Sequence, residues 1–465
     1  MLNISFVEEN LSIEAVKIGH PKNPFIAGFS IDSREIKAGE CFIAIKGNKY
    51  NAHQFIPDCL SRGVYTFIVQ KEMKNKLKNV FQNCFIFPVE NTVEAMALLA
   101  KAYKRLILAT SFAITGSSGK TTTRELIVKL LSSKYIIHTA KKNFNNEIGL
   151  PLTILQAPND TQIMVLELGM NHKGEIKRLS EIAEPMAGLI TNIGYAHIGQ
   201  LGSLSAIAEC KSEIYEGINP HGYIFLNRDD AYFEYLKKKS PVEVIDYGIS
   251  DFKILEDKIL DGYKLRYNDI EFNYPLPGRH NLSNLAGALK VSEFYRVDRD
   301  KIPEIVENIK AVSGRSETLK GTTLKGVNLE GFSFKGFCTI INDCYNANPS
   351  SMLASLELLS KVNGRRVAIL SDMLELGHLS RNLHSSIGKH ISDNKLADLV
   401  LVYGNHAKYI TDNIHNPEIA TYFFPTQEEL INSLPSFIEK GDTVLVKASR
   451  GMKLENTVEA LKKLL

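Results

Sequence analysis

The sequence contains 465 residues, of which 44% are hydrophobic and 23% are charged, and its formal net charge is +3. This length predicts about three domains of ~150 residues each, and the composition is that of an ordinary globular protein. The small net charge argues against a general nucleic-acid-binding protein, since no block of Lys and Arg stands out that could follow a phosphate backbone. No apolar run approaches ~20 residues, so we expect no transmembrane helix.

The N-terminal segment 1–16 carries acidic residues and lacks the basic and apolar regions of a secretory signal peptide. The six cysteines show no C-x-x-C spacing, which argues against a zinc site and against a disulfide framework. These features predict a cytoplasmic protein with reduced thiols. We expect a monomer that has no nucleic-acid partner and no membrane insertion.

Residues 1–87 predict a first domain of small mixed α/β type. It combines strand-like runs at 41–45, 66–69 and 84–87 with a helical pattern at 54–61. Two polar clusters adjoin turn residues, where they either face a ligand or form plain loops. These clusters are Asp32-Ser33-Arg34 and Lys46-Gly47-Asn48-Lys49.

Residues 88–314 predict an α/β domain with a parallel sheet that is covered on both faces, because apolar runs alternate with helical patterns. The predicted strands are 106–114, 163–168, 187–191 and 223–226. Ligands collect at the carboxyl ends of strands in such sheets. Residues 241–277 predict a small β-rich appendage, and a helix is predicted from Leu282 to Tyr295.

A glycine-rich segment, Thr115-Gly116-Ser117-Ser118-Gly119-Lys120-Thr121-Thr122, lies between an apolar run and the helical pattern 121–131. A strand, a glycine loop, Lys-Thr and a helix are the context of a phosphate-binding loop, whose backbone N–H groups surround phosphate oxygens. Lys120 then reaches the outer phosphates, and the Thr121 hydroxyl holds Mg²⁺. The spacing is a shortened G-x-x-G-K-T form. A Gly/Ser turn with a solvated lysine is the alternative.

Three further residues of this domain are candidates for chemistry. Glu167 ends an apolar strand, where an acid is costly unless it is paired or metal-bound, and with Thr121 it offers the oxygen ligands that Mg²⁺ prefers. An exposed acid past the strand end is the alternative. His197, in the glycine-punctuated loop 192–203, is either a metal ligand or a satisfied turn residue. Lys211 shares the inward stripe of a helix and is either functional or a lysine whose ammonium reaches solvent.

Residues 315–465 predict a third, Rossmann-like domain. The predicted strands are 338–342, 366–370, 399–403, 421–424 and 443–447, and the predicted helices are 350–359, 383–392, 427–439 and 455–465. The domain lacks G-x-G-x-x-G, so we assign it no dinucleotide. The segment 310–336 is rich in Gly and Ser and is expected to contain the domain boundary.

Several ordered motifs resemble those of the Mur ligases, ATP-dependent amide-forming enzymes of peptidoglycan synthesis. They are T-G-S-S-G-K-T-T-T (115–123), N-F-N-N-E-I-G-L-P (143–151), E-L-G-M-N (167–171), T-N-I-G-Y-A-H-I-G (191–199), G-R-H-N-L-S-N (278–284), Y-N-A-N-P-S-S-M (345–352), S-D-M-L-E-L-G (371–377) and V-K-A-S-R-G-M (446–452). Three of them favour the member that adds D-Ala-D-Ala to UDP-N-acetylmuramoyl-tripeptide. Another ligase of the family or a folylpolyglutamate-type synthetase is the nearest alternative; a scaffold without catalysis or a P-loop kinase is a more distant one.

The resemblance implies a UDP-muramoyl-binding first domain, a central ATP-binding domain and a last domain that closes over both. It implies catalytic roles for Lys120, Glu167, His197 and Lys211. It also implies Mg²⁺ ligation by Thr121, Glu167, His197 and Lys211, the lysine being carbamylated. One departure is that Asn51-Ala52-His53 replaces the family's common Asp-Gly-His.

The resemblance also implies two sets of binding residues. The ATP contacts are Thr115, Gly116, Ser117, Ser118, Gly119, Lys120, Thr121, Thr122, Asn281, Asn284, Arg315, Asp343, Asn346 and Asn348. The substrate contacts are Ser33, Arg34, Lys46, Gly47, Asn145 and Asn146.

Overall fold

The computed structural model describes residues 1–21, 23–47, 50–76, 79–140, 143–320 and 338–464. Asn48 and Lys49 of the second polar cluster lie outside the described residues, as does most of the predicted boundary segment 310–336. Three large sheets follow one another along the chain, which confirms the predicted α/β class with a central parallel sheet.

The first sheet has the strand order β2-β7-β6-β5-β4, parallel except for the antiparallel pair of β2 and β7. A short antiparallel pair, β1 and β3, lies beside it. The strands are β1 (Leu2–Asn3), β2 (Val16–Ile18), β3 (Phe25–Ile26), β4 (Phe29–Ser30), β5 (Cys41–Ile43), β6 (Thr66–Gln70) and β7 (Cys84–Val89). The helices are α1 (Ile4–Leu11), α2 (Ile56–Ser61) and α3 (Lys71–Lys76).

The central sheet has six parallel strands in the order β13-β12-β11-β8-β10-β9. They are β8 (Thr110–Thr115), β9 (Ile137–Thr139), β10 (Ile163–Glu167), β11 (Ala187–Ile190), β12 (Tyr223–Asn227) and β13 (Glu243–Tyr247). The helices are α4 (Thr92–Leu106), α5 (Lys120–Leu131), α6 (Gly149–Leu155), α7 (Glu175–Ala183), α8 (Ile198–Leu201), α9 (Leu204–Ser212), α10 (Phe233–Lys239), α11 (Arg279–Phe294) and α12 (Ile302–Glu307).

Side chains alternate across the two faces of this central sheet. Phe112 and Ile114 pack into one core with α5 and α11, whereas Ala113 packs into the other core, which contains residues of α4, α6 and α7. This alternation is the two-residue period of a strand that is covered on both sides. The sheet therefore presents its strand ends, and not a face, to ligands.

Two predictions for this region need correction. The strand predicted at 106–114 begins at Thr110, because Leu106 is the last residue of α4 and Leu108 turns the chain with φ +56°. The segment 241–277 is only partly an appendage. Its first strand, β13, joins the central sheet, whereas β14 (Lys253–Asp257), β15 (Tyr263–Tyr267) and β16 (Ile270–Tyr274) form a separate antiparallel sheet.

The last sheet has the order β17-β18-β22-β19-β20-β21 and is parallel except for β17, which pairs antiparallel with β18. Its strands are β17 (Glu317–Lys320), β18 (Thr339–Asn342), β19 (Arg366–Leu370), β20 (Leu399–Tyr403), β21 (Ala420–Phe424) and β22 (Thr443–Lys447). Its helices are α13 (Pro349–Ser360), α14 (Ser380–Asn394), α15 (Lys408–Thr411), α16 (Gln427–Phe437) and α17 (Glu455–Leu464).

All six cysteines are buried and unpaired. Burial raises the pKa of the Cys59 and Cys84 thiols to about 11, and that of Cys338 likewise to about 11. Within the part of the chain that the structure describes, every helix is too short or too polar to cross a lipid bilayer.

Candidate active site

A cavity of about 770 Å³ opens at the carboxyl ends of β8, β10 and β11, where the central sheet faces the last sheet. Most of the predicted ATP-contacting and catalytic residues line it. They are Ser117, Ser118, Gly119, Lys120, Thr121, Thr122, Glu167, His197, Lys211, Asn281, Asn284, Arg315, Asp343, Asn346 and Asn348. Asn145 and Asn146 line it too. Thr115 and Gly116 are not among its lining residues.

The glycine loop connects β8 directly to α5, as the motif predicts. Gly119 has φ +79°, and a Cβ there would collide with the side-chain amide of Asn284 on α11. A left-handed backbone in such close contact requires glycine. The loop therefore holds the N-terminus of α5, which carries positive potential, against the cavity.

The loop that follows β11 braces the glycine loop through polar contacts. Asn192 accepts from the Ser118 backbone N–H (3.0 Å), and Thr191 donates to the Ser118 carbonyl (2.6 Å). Ser117 donates its hydroxyl to the Gly194 carbonyl at 3.0 Å. Thr115 instead donates to the Leu168 carbonyl, which explains its position behind the cavity. The backbone of the glycine loop is thus fixed without a ligand.

Two lysines of the central domain, Lys120 and Lys211, line the cavity. Lys120 donates to the Gly116 carbonyl at 2.6 Å, and burial lowers its pKa, which Glu167 counteracts and Arg315 reinforces. Lys211 is 2% exposed, and burial together with the charge of Lys120 sets its pKa well below the usual value for lysine. Among the described residues its amine has no hydrogen-bond or ion-pair partner. Burial and the charge of Lys120 therefore both favour the uncharged form of the Lys211 amine.

Glu167 is buried at the end of β10, which excludes the exposed-acid alternative. Its Oε1 lies 3.2 Å from Nη1 of the buried Arg124 on α5, an ion-pair distance without hydrogen-bond geometry. Arg124 also donates to Glu125 through Nη2 at 2.5 Å. No sequence motif pointed to Arg124, which lies on the helix that follows the glycine loop. Glu167 thus keeps a buried carboxylate oxygen without a hydrogen bond.

His197 lies where the loop after β11 meets the last domain. Its Nδ1 is 2.8 Å from Oε2 of Glu375, and this contact lowers the pKa of the Glu375 carboxyl. Both residues have left-handed backbones, with φ +63° and +65°. Two residues further on in each loop, Gly199 and Gly377 pack backbone to backbone, and the Gly199 N–H donates to the Glu375 carbonyl at 2.9 Å. These two loops join the central and last sheets.

Four of the predicted asparagines hold the site together through their side chains. Asn284 accepts from Thr123 on α5 and donates to Asn281, both at 3.2 Å. Asn281 in turn donates to the Pro277 carbonyl. Asn146 caps α6 through the Gly149 N–H, and Asn348 caps α13 through the Ser351 N–H. A structural role therefore accompanies the ligand-binding role predicted for each of these side chains.

Asp343 is the centre of a buried polar cluster in the last domain. Its carboxylate accepts from Lys447 Nζ (2.5 Å), Ser355 Oγ (2.6 Å) and the Ser316 N–H (2.9 Å). Lys447 also donates to the Asn346 carbonyl at 3.2 Å. These bonds tie β22, α13 and the chain entering β17 to one another.

The predicted substrate residues of the first domain are not among those that line the cavity. Arg34 is exposed and pairs with Asp32 at 2.6 Å, and Lys46 lies 3.7 Å from Glu72. Ser33 and Gly47 are likewise not part of the cavity lining. They belong to loops of the first domain.

Asn51 replaces the family's aspartate without loss of a partner for His53. His53 is fully buried, accepts the Gln70 N–H on Nε2 (3.0 Å) and lies 2.6 Å from Asn51 Oδ1 through Nδ1. Because the backbone N–H is a donor, Nδ1 must carry the proton. Burial lowers the pKa of His53 to about 4, so a neutral amide suits this neutral imidazole.

The donor set of the cavity fits Mg²⁺ in part. Mg²⁺ prefers oxygen and takes few protein ligands. The Thr121 hydroxyl and Oε1 of Glu167 are such oxygen donors, whereas Nδ1 of His197 is a nitrogen donor that lies 2.8 Å from Oε2 of Glu375 without hydrogen-bond geometry. Among the described residues no three His, Cys, Asp or Glu side chains converge as a metal-binding group.

Comparisons with known proteins point to one family. The model of the Mur ligase middle domain matches residues 114–292, and that of the Mur ligase glutamate ligase domain matches residues 330–450. The chain is 34% identical to UDP-N-acetylmuramoyl-tripeptide–D-alanyl-D-alanine ligase of Bacillus subtilis, over 94% of this chain and 93% of the relative. It is 32% identical to the protein of the same name from Rickettsia prowazekii, over 92% and 93%.

Solved structures agree with this comparison. A crystal structure of MurF from Acinetobacter baumannii matches with a TM-score of 0.85 and 25% identity, covering 99% of this chain and 98% of that one. A crystal structure of MurF ligase from Thermotoga maritima in complex with ADP matches with a TM-score of 0.79 and 29% identity, covering 94% and 97%.

Proposed function

The chain belongs to the Mur ligase family, and we propose that it is an ATP-dependent ligase that joins D-Ala-D-Ala to UDP-N-acetylmuramoyl-tripeptide in peptidoglycan precursor synthesis. The observation that carries the proposal is one cavity in which a phosphate-binding loop on the central sheet faces basic and polar residues of the last sheet. Relatives of that name match it over nearly their whole length.

The reaction must turn an unreactive carboxylate into an electrophile. The terminal carboxylate of the tripeptide attacks the γ-phosphorus of ATP. The bond between that phosphorus and the β,γ-bridging oxygen breaks, which yields an acyl phosphate and ADP. The amine of D-Ala-D-Ala then attacks the acyl carbon. The tetrahedral intermediate expels phosphate, and the nitrogen loses a proton as the amide forms. The enzyme contributes mainly by positioning the reactants and neutralising charge.

The residues of the cavity suit this task. Lys120 lies at the glycine loop, and Arg315 enters from the linker to the last domain, so two cations flank the place where a carboxylate must approach a triphosphate. The N-terminus of α5 adds further positive potential. Closure of the last domain over the central domain would exclude water and so protect the acyl phosphate from hydrolysis.

Thr121 and Glu167 would hold Mg²⁺, whose charge would offset that of the phosphates. His197 is proposed as a further ligand through its second nitrogen. Carbon dioxide adds to the uncharged form of an amine, which burial and the charge of Lys120 favour at Lys211, and a carbamate there would supply the carboxylate that the family resemblance implies. Asn281, Asn284, Arg315, Asp343, Asn346 and Asn348 stay proposed as the nucleotide-facing set.

For the first domain we propose that Ser33, Arg34, Lys46 and Gly47 contact the UDP-muramoyl group, with Asn145 and Asn146 nearer the peptide end. Domain boundaries at 87/88 and 314/315 are proposed as well, although β7 continues to Val89. A monomer in the cytoplasm is the proposed state, since six free thiols suit a reducing compartment.

Phosphate release tests the proposal. The purified protein is given ATP, Mg²⁺ and UDP-muramoyl-tripeptide, ending either in diaminopimelate or in lysine, with and without D-Ala-D-Ala. We expect phosphate release and pentapeptide formation only when the dipeptide is present, and neither from the Lys120→Ala variant. Release that is independent of the dipeptide, or product formation with single amino acids instead, would contradict the assignment.

A further inference from the structure

Arg315 reaches the cavity without a polar anchor. Its Nε is buried and has no hydrogen-bond partner, and among the described residues its guanidinium makes no hydrogen bond or ion pair. A flexible arginine side chain held only at its backbone samples many rotamers, which makes it a poor electrostatic partner for phosphate. Some other contact must fix its guanidinium.

That contact is the ring of Tyr345, on the loop between β18 and α13. The central carbon of the Arg315 guanidinium lies 4.1 Å from the ring centroid, and that of Arg450 lies 4.9 Å from it. The Tyr345 N–H also donates to the carbonyl of Gly314, immediately before Arg315. Backbone and ring therefore hold the linker and its arginine together.

The hydroxyl of Tyr345 joins two further elements. It accepts from Nη1 of Arg450 at 2.9 Å and from the side-chain amide of Asn143, in the segment before α6 of the central domain. The ring and the hydroxyl of Tyr345 therefore make separate contacts. The ring contacts the Arg315 guanidinium, and the hydroxyl bridges the central and last domains.

We propose that Tyr345 is a positioning residue for nucleotide binding, whose ring stacks on Arg315 and holds that guanidinium toward the phosphates of ATP. A planar guanidinium over an aromatic face is attracted by the ring quadrupole, and the stacking leaves the N–H groups free for an anion. The inference rests on the proposed function, because it takes Arg315 as an ATP contact.

The test measures the affinity of the full-length protein for the non-hydrolysable analogue AMP-PNP by calorimetry. Tyr345→Leu removes ring and hydroxyl, whereas Tyr345→Phe keeps the ring as the matched control. Tyr345→Leu should weaken AMP-PNP binding roughly 2- to 30-fold, the range expected for one cation–π contact. Tyr345→Phe should bind within about twofold of the unmodified protein. In an Arg315→Ala background, Tyr345→Leu should cost nothing further.

Kinetics separate positioning from a loss of fold. Tyr345→Leu should raise KM for ATP by the same factor and leave KM for D-Ala-D-Ala unchanged. Tyr345→Phe loses the same hydroxyl bonds, so it should share any fall in melting temperature without the rise in KM for ATP. Equal losses from the Phe and Leu variants, or an equal Leu effect with and without Arg315, would overturn the inference. A protein that binds AMP-PNP but lacks dipeptide-dependent turnover would overturn the proposed function instead, and the binding comparison would still decide the role of Tyr345.

Discussion

Replacing Gly199 with alanine tests the contact between the central and last domains, because it disturbs that contact directly. Gly199 lies in α8, where alanine is favoured over glycine by up to about 1 kcal/mol. A Cβ there would nevertheless stand 2.6 Å from the Glu375 carbonyl oxygen and 2.6 Å from the carbonyl carbon of Leu376. Ordinary carbon contacts begin near 3.5 Å, so the facing loop must retreat by about 1 Å.

A displacement of about 1 Å in a reacting geometry costs on the order of 100-fold in rate. We therefore expect dipeptide-dependent phosphate release by Gly199→Ala to fall about 100-fold, with a lowered melting temperature because the clash is with backbone atoms. Gly28→Ala is the control, because its Cβ would meet only the flexible Glu40 side chain, at 3.4 Å. Turnover near that of the unmodified protein, measured by a coupled phosphate assay, would refute the idea that this contact forms during catalysis.

Three further predictions concern buried charge. Lys447→Met should destabilise the protein by about 3–5 kcal/mol in urea unfolding, because the Asp343 carboxylate stays buried without its cation, and adding Asp343→Asn should recover part of the loss. Lys211→Ala should abolish turnover, with partial rescue by short carboxylic acids; full activity would make this lysine structural. Stability should fall as the pH drops from about 6.5 towards 4, since the unfolded chain protonates His53 and the folded chain does not. His53 should account for roughly 3 kcal/mol of the free energy of unfolding that is lost over this pH range. His53→Gln should therefore reduce the dependence of the unfolding free energy on pH.

Local sequence patterns account for most of the central and last sheets. The continuous apolar runs that end at Leu370 and Tyr403 coincide with β19 and β20, because strands buried on both faces need no polar alternation. The glycine loop was also predictable from local sequence, because the residues that form a phosphate-binding loop are adjacent in the chain. Strand β17 (Glu317–Lys320) escaped prediction because it is a short edge strand without an apolar run.

Contacts between distant residues could not be predicted from the sequence. The pairing of Glu167 with Arg124 and that of Asp343 with Lys447 join different elements, and no local periodicity encodes either. Glu375 belonged to a motif that supported the family resemblance, yet only the meeting of two sheets gives it His197 as a partner. Local motifs contained most of the predicted ATP-contacting residues that line the cavity, and only the tertiary structure shows which charged side chains of the cavity are paired.

The buried cysteines allow local unfolding of the protein to be measured by thiol alkylation. Cys41, Cys59 and Cys84 lie in the first sheet and its helix, Cys210 lies in α9 of the central domain, and Cys338 and Cys344 flank β18. Each thiol is shielded and its thiolate is disfavoured by burial, so alkylation must wait for its own surroundings to open. Mass-resolved labelling would then give a separate opening rate for each of the three regions, without any introduced probe.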